Sequence, residues 1–118
     1  MKGDCLFCKI ARGRIPSHRV HEDALTLAFM DVDQVTPGHV IVAIRPHLET
    51  IGDLSPTQAA AAFRTVRRVA RAVKTAFNPE GLTIVQTSGT AGWQTVPHFH
   101  LHVLPRYVND GVSFTWLY

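Results

Sequence analysis

The chain has 118 residues, 46% of them apolar and 18% charged, and twelve Lys and Arg against nine Asp and Glu leave a formal charge of +3. That is the length of one domain, long enough to bury a core without disulfide staples, and its ordinary apolar content excludes a disordered chain. No run approaches the roughly 18 consecutive apolar residues of a membrane-spanning helix, and the start, MKGDCLFCKI, lacks the features of a signal peptide, so a cytoplasmic domain is expected.

Leu6, Phe7 and Ile10 predict a short N-terminal helix that ends near Gly13. Two strand-like runs, 18–22 and 25–30, follow at hairpin distance. Residues 31–38 read as a loop with Pro37-Gly38 as its turn, and 39–45 (HVIVAIR) as a strand buried on both faces. Ser55, Pro56 and Gln58 supply the N-cap, first-turn proline and capping box of a long helix. Its apolar stripe is Phe63, Val66, Ala70, Val73 and Phe77, and Asn78-Pro79-Glu80-Gly81 stops it. Residues 82–87 give another strand, 88–94 a small-residue loop, and 97–104 a last strand. The expected class is α+β: a five-stranded antiparallel sheet, one long helix and a short N-terminal helix. Arg64, Arg67, Arg68, Arg71 and Lys74 lie along one side of the long helix. With no aromatics interleaved they read as a solvated face, not a nucleic-acid track, although a mildly basic field suits an anionic small substrate.

His98, His100 and His102 alternate with Phe99, Leu101 and Val103. At a strand period of two, the imidazoles share one face and the apolar side chains the core face. Three readings fit this row: incidental surface polarity, ligands of a catalytic metal that needs a third donor, or nucleophilic and acid–base work on a phosphate. Ser88, Gly89, Thr90, Gly92 and Thr95, just upstream, let backbone N–H groups and hydroxyls approach an anion. Cys5 and Cys8 are the second constellation. No strand precedes them, so a thioredoxin-like redox pair is not expected, and a reducing compartment disfavours a disulfide. They are either two small buried hydrophobes or half of a tetrahedral zinc site.

The run 98–104 (HFHLHVL) resembles the His-x-His-x-His-x-x signature of the histidine triad (HIT) family. Cys5-Leu6-Phe7-Cys8-Lys9-Ile10, Ile15-Pro16, Ala28-Phe29-Met30-Asp31, Pro37-Gly38-His39-Val40, Gly89, Gln94-Thr95-Val96 and Pro105-Arg106 also fall in that family's order. The resemblance therefore spans nearly all of residues 1–118 as a single domain. It implies a hydrolase or transferase acting at the α-phosphate of a purine nucleotide, with phosphoramidates as substrates. The alternatives are cleavage of dinucleoside polyphosphates, or a nucleotide-binding regulatory module with little turnover.

By the same resemblance His100 is the nucleophile that forms a nucleotidyl-histidine, His102 bonds the phosphate, and His98 completes the catalytic row. Gln94 and Thr95 cradle the phosphate, Asp31 holds the ribose hydroxyls, and Leu6, Phe7 and Ile10 wall the base pocket. Val32 and Thr87 complete the substrate contacts. Cys5, Cys8, His47 and His98 are implied as the ligands of a structural zinc. A homodimer is implied as well, with no nucleic-acid or membrane partner. Two positions depart from the family pattern: Thr87-Ser88 stands where an asparagine is usual, and Trp93 where a glycine is usual. Trp93 either narrows the pocket, stacks on a leaving group or packs at the rim. His18, His21 and His39 receive no role. Alanines 59–62 extend the apolar surface of the long helix. The aromatic tail, 112–118, either packs near a dimer interface at the mouth of the site or folds onto its own domain.

Overall fold

Five strands make one sheet in the computed structural model, which describes residues 4–114. They are β1 (Arg19–Glu22), β2 (Thr26–Met30), β3 (Val40–Ile44), β4 (Gly81–Gln86) and β5 (His100–Arg106). Their order is β1-β2-β3-β5-β4, with every neighbouring pair antiparallel. Two helices accompany them, α1 (Leu6–Ala11) and α2 (Pro56–Phe77), with short 3-10 turns at Ile51–Asp53 and Thr90–Gly92. The α+β architecture is as the sequence predicts; the 3-10 turns are additional to it.

The sheet is covered on both faces, which is why β3 is buried at every position. On one face Val40, Val42 and Ile44 meet Phe99, Leu101 and Val103 under Ala62, Val66, Val69 and Val73 of α2. On the other, Ile41 and Ala43 meet Leu27 and Phe29 under Cys5, Phe7, Cys8 and Ile10 of the N-terminal segment. The histidine-bearing face of β5 is therefore partly roofed by the N-terminal segment.

Ser55 and Gln58 form the reciprocal capping box, with Gln58 N–H donating to Ser55 Oγ and Ser55 N–H to Gln58 Oε1. Asn78 ends the helix in the left-handed conformation. The buried stripe of α2 differs from the predicted one. It runs through Ala61, Ala62, Thr65, Val66, Val69 and Val73, whereas Phe63 and Phe77 remain 55% and 41% exposed. Alanine and valine let the helix lie close to the sheet, and Thr65 fits that seam because its hydroxyl shares a 2.7 Å hydrogen bond with Thr26. The five basic residues of α2 all face solvent, as expected. Among the described residues no helix is long and apolar enough to cross a membrane.

The last strand starts at His100, not at 97, because Pro97 has no N–H to give a ladder. Phe99 N–H turns instead to the Leu48 carbonyl at 2.6 Å. Phe77 packs against a turn and not against the sheet. Its ring lies over Gly38, where φ is +92° and an added Cβ would stand 2.9 Å from the ring. Gly38→Ala is expected to destabilise the fold by about 2 kcal/mol, combining left-handed strain with that clash. A drop in the denaturant midpoint without a change in slope checks it.

Candidate active site and metal cluster

β5 turns His100 and His102 away from α2 and toward α1, where the Phe7 ring meets His100 edge-on at 4.8 Å between centroids. The hydrogen bonds around each imidazole fix which nitrogen carries the proton. His100 Nδ1–H donates to the His98 carbonyl at 2.6 Å, so Nε2 keeps its lone pair. Burial holds the His100 pKa below the usual histidine value despite that bond, with His102 adding to the effect, so the ring is neutral.

His102 has the opposite polarity. Val35 N–H donates to His39 Nδ1 at 3.2 Å, which leaves the His39 proton on Nε2. That Nε2–H donates to His102 Nδ1 at 2.9 Å, so His102 carries its own proton on Nε2. Burial, then His39, pushes the His102 pKa down, and this ring is neutral too. Two imidazoles 5.0 Å apart thus present one bare lone pair and one N–H.

Beside them lies a cavity of about 230 Å³. Of the residues the sequence nominated for substrate and catalysis, Leu6, Phe7, Ile10, Asp31, Val32, Thr95, His100 and His102 all line it. Ile15, Pro16, Ser17, Phe29, Met30, Ile41 and Val96 line it as well and had no assigned role, although several stand inside family motifs. Asp31 accepts the Asp33 N–H at 2.9 Å through one oxygen and brings the other to 3.5 Å from His39 Nε2.

Three nominated residues stand elsewhere. Thr87 lines a second cavity, over β4, together with Trp93 and Phe114. Gln94 braces the loop: its Oε1 accepts the Gly89 N–H at 2.7 Å, and its Nε2 donates to the carbonyls of Glu49 and Val96. His98 is buried behind the strand start and joins the cysteines. His39, to which the sequence assigned nothing, is 2% exposed and holds His102 in place. A contact across 63 positions leaves no local trace; the one available signal was its place in Pro37-Gly38-His39-Val40. Phe114 is the one aromatic of the tail whose surroundings are known. Trp116, Leu117 and Tyr118 lie outside the described residues.

Cys5, Cys8, His47 and His98 converge as the sequence anticipates, their four donor atoms all within 4.8 Å of one another. Sγ of Cys5 is 3.3 Å from His98 Nδ1, and Sγ of Cys8 is 3.6 Å from the same atom and 3.4 Å from His47 Nδ1. With metal–sulfur bonds of about 2.3 Å and metal–nitrogen bonds of about 2.0 Å, a tetrahedron has sulfur–nitrogen edges near 3.5 Å. The spacing therefore fits a four-coordinate ion. His98 Nε2–H donates to the Ile44 carbonyl, which turns the Nδ1 lone pair toward the sulfurs. Asp31, His39 and His102 are equally close together. There, however, the His39 nitrogen facing the group already bears a proton, so this trio transmits hydrogen bonds and is not a ligand set.

The HIT domain family matches residues 12–109. A crystal structure of a HIT family protein from Bacillus anthracis superposes with a TM-score of 0.92 at 43% identity, covering 98% of this chain and 83% of that one. A Zn-bound histidine triad family protein from Mycobacterium smegmatis gives a TM-score of 0.87 at 36% identity, over 94% and 81% of the two chains. The adenosine 5'-monophosphoramidase of Schizosaccharomyces pombe is 34% identical over 102 residues, 86% of this chain and 74% of that protein. With the three alternating histidines on the face that α1 roofs, and with likeness along almost the full length, the chain belongs to the histidine triad family.

Proposed function

We propose that the protein is a nucleotide hydrolase or transferase that cleaves nucleoside phosphoramidates at the α-phosphate through a nucleotidyl group on His100. The observation that carries this reading is the opposed polarity of the two neutral imidazoles. His100 Nε2 attacks phosphorus while His102 Nε2–H bonds a non-bridging oxygen and stabilises the charge gathering there. The P–N bond breaks, its electron pair leaves with the amine nitrogen, and that nitrogen takes a proton from solvent. Water then attacks phosphorus, the bond to His100 breaks as the new P–O bond forms, and the water's proton returns to solvent. The products are a nucleoside monophosphate, the amine and a regenerated neutral His100.

Asp31 lines the cavity and would accept from the ribose hydroxyls, with Leu6, Phe7 and Ile10 as an apolar wall for a purine. Thr95 stands where the phosphate would pass. The phosphoramidase activity named for the fission-yeast relative supports the same substrate class. Zinc suits the Cys5, Cys8, His47 and His98 donors, and a Zn-bound family member supports that choice. Four protein ligands close the coordination shell, so the ion serves to fasten the N-terminal segment to the start of β5. A homodimer has apolar surface available at Phe63, beside Ala59 and Ala60 on the outer flank of α2.

The test is to mix the protein with an adenosine phosphoramidate, quench, and map adenylylated peptides by mass spectrometry, with a diadenosine polyphosphate in parallel. Adenylate on His100 together with release of adenosine monophosphate from the phosphoramidate is the expected result. Adenylylation by the polyphosphate alone would move the reading to that substrate, and no modified peptide from either would remove the mechanism. His39→Phe should reduce turnover by about 10²-fold with little change in nucleoside affinity, because it strips His102 of the donor that sets its tautomer. Equal losses of turnover and affinity would show that His39 only supports the pocket.

A further inference from the structure

Trp93 occupies a backbone conformation that its side chain disfavours. Its φ is 76° and its ψ 19°, in the left-handed region that glycine enters freely and a bulky residue rarely does. The loop makes it do so: Trp93 N–H closes the 3-10 turn on the Thr90 carbonyl, and the side chain of the next residue, Gln94, is pinned by three hydrogen bonds. The indole gains no burial in exchange, since Trp93 is 69% exposed. Strain held together with an exposed large aromatic points to a use outside the fold.

The cavity that Trp93 lines shows what that use is. It has a volume of about 590 Å³ and runs over β4. Val85 and Phe114 line it and also line a neighbouring cavity of about 360 Å³ that reaches His102 and Asp31. Val85 is the direct cross-strand partner of His102, so the two side chains project from the same face. Asp31 and His102 in turn border the cavity beside Phe7. The result is one groove with the histidines at its middle: an apolar pocket on the α1 side, and a path over β4 that ends between Phe114 and Trp93.

We propose that this second arm is the subsite for the leaving group, and that Trp93 and Phe114 select leaving amines carrying a flat aromatic ring. The inference rests on the phosphoramidase reading. With the nucleoside in the pocket beside Phe7 and phosphorus at His100 and His102, the remainder of the substrate must continue past His102, and the groove is where it goes. Two aromatic side chains at its end favour a ring over a small alkyl group through stacking and edge contacts as well as area.

The test compares adenosine N-benzyl phosphoramidate with its N-methyl counterpart, which breaks the same bond. The wild-type protein should favour the benzyl substrate by about tenfold in kcat/KM, the size of effect expected of an aromatic pair with its buried area. Trp93→Gly should bring the ratio near unity, and Phe114→Ala should lower it by a smaller factor. Trp93→Gly relieves the strained backbone, so its melting temperature should not fall, and a loss of folding does not obscure the result. A second measurement stands apart from turnover: in a Trp116→Phe background, a non-hydrolysable benzyl analogue should quench the remaining tryptophan fluorescence and a methyl analogue should not.

A wild-type ratio near unity, or a ratio unchanged in Trp93→Gly, overturns the subsite while leaving the chemistry on His100 standing. An unchanged ratio together with a shift in oligomeric state would assign Trp93 to contact between copies instead. If the wild-type protein turns over neither compound and His100 stays unmodified, the phosphoramidase reading fails and the subsite falls with it.

Discussion

Replacing His100 with alanine is expected to lower turnover of an adenosine phosphoramidate by about 10⁴-fold or more, because no other group in the cavity offers a nitrogen lone pair to phosphorus. Nucleoside affinity should change only a few-fold. The wall formed by Leu6, Ile10 and Phe29 and the carboxylate of Asp31 remain, although Phe7 loses its edge contact with the imidazole. His102→Ala should be milder, since it removes a hydrogen-bond donor and not the reacting atom. Calorimetric binding of adenosine monophosphate beside steady-state kinetics separates the two effects. Activity near the wild-type level in His100→Ala would end the covalent mechanism, and equal losses in both variants would place the two histidines in one inseparable unit.

Metal removal should have the largest effect on stability. Protein purified without chelators is expected to carry one zinc per chain, and Cys5→Ser, Cys8→Ser or a strong chelator should lower the melting temperature by at least about 10 °C. Without an ion, two weak S–H···N hydrogen bonds stand in for four metal–ligand bonds, in a place where Cys5, Cys8 and His98 are almost fully shielded from water. The loss should be smaller than in a zinc finger, because Phe7, Ile10 and their neighbours still bury apolar surface when the ion is gone. Elemental analysis together with thermal melts of the two serine variants checks this. Protein that carries no metal when purified without chelators, and whose melting temperature Cys5→Ser leaves unchanged, would show the cysteines to be ordinary core residues.

Most of the fold was legible because its signals are local. The reciprocal Ser55–Gln58 cap, the β-branched run of β3 and the alternation of histidine with Phe99, Leu101 and Val103 each act within a few residues. The buried stripe of α2 was less legible. Phe63 and Phe77 have the largest apolar side chains on the helix, yet the sheet takes alanine and valine, and only the neighbouring elements decide which apolar flank is turned inward. The same limit applies at the site. Half of the metal cluster could be anticipated from the spacing of Cys5 and Cys8, and His47 and His98 only from the family resemblance. The hydrogen bond that orients His102 comes from His39, just before β3, and its only trace along the chain is the Pro37-Gly38-His39-Val40 motif. Gln94 shows the converse: a polar residue beside a motif invites a ligand contact, and three hydrogen bonds, to Gly89, Val96 and the distant Glu49, use its amide instead.

The position of β5 has a consequence for motion. Leu101, His102 and Val103 are paired on both sides, to Val42, Ile41 and Val40 of β3 and to Gln86, Val85 and Ile84 of β4. Amides in such an interior strand exchange with solvent only when the whole domain opens, whereas loops and edges exchange through small local excursions. The His102 imidazole is therefore mounted on the slowest-breathing part of the molecule, with His100 at the end of that doubly paired run, held to Ala43 of β3. Trp93 and Asp31, by contrast, sit in connecting segments outside the strands. The protein divides its timescales accordingly: a histidine row anchored in the sheet interior, between flanking groups able to adjust on each encounter.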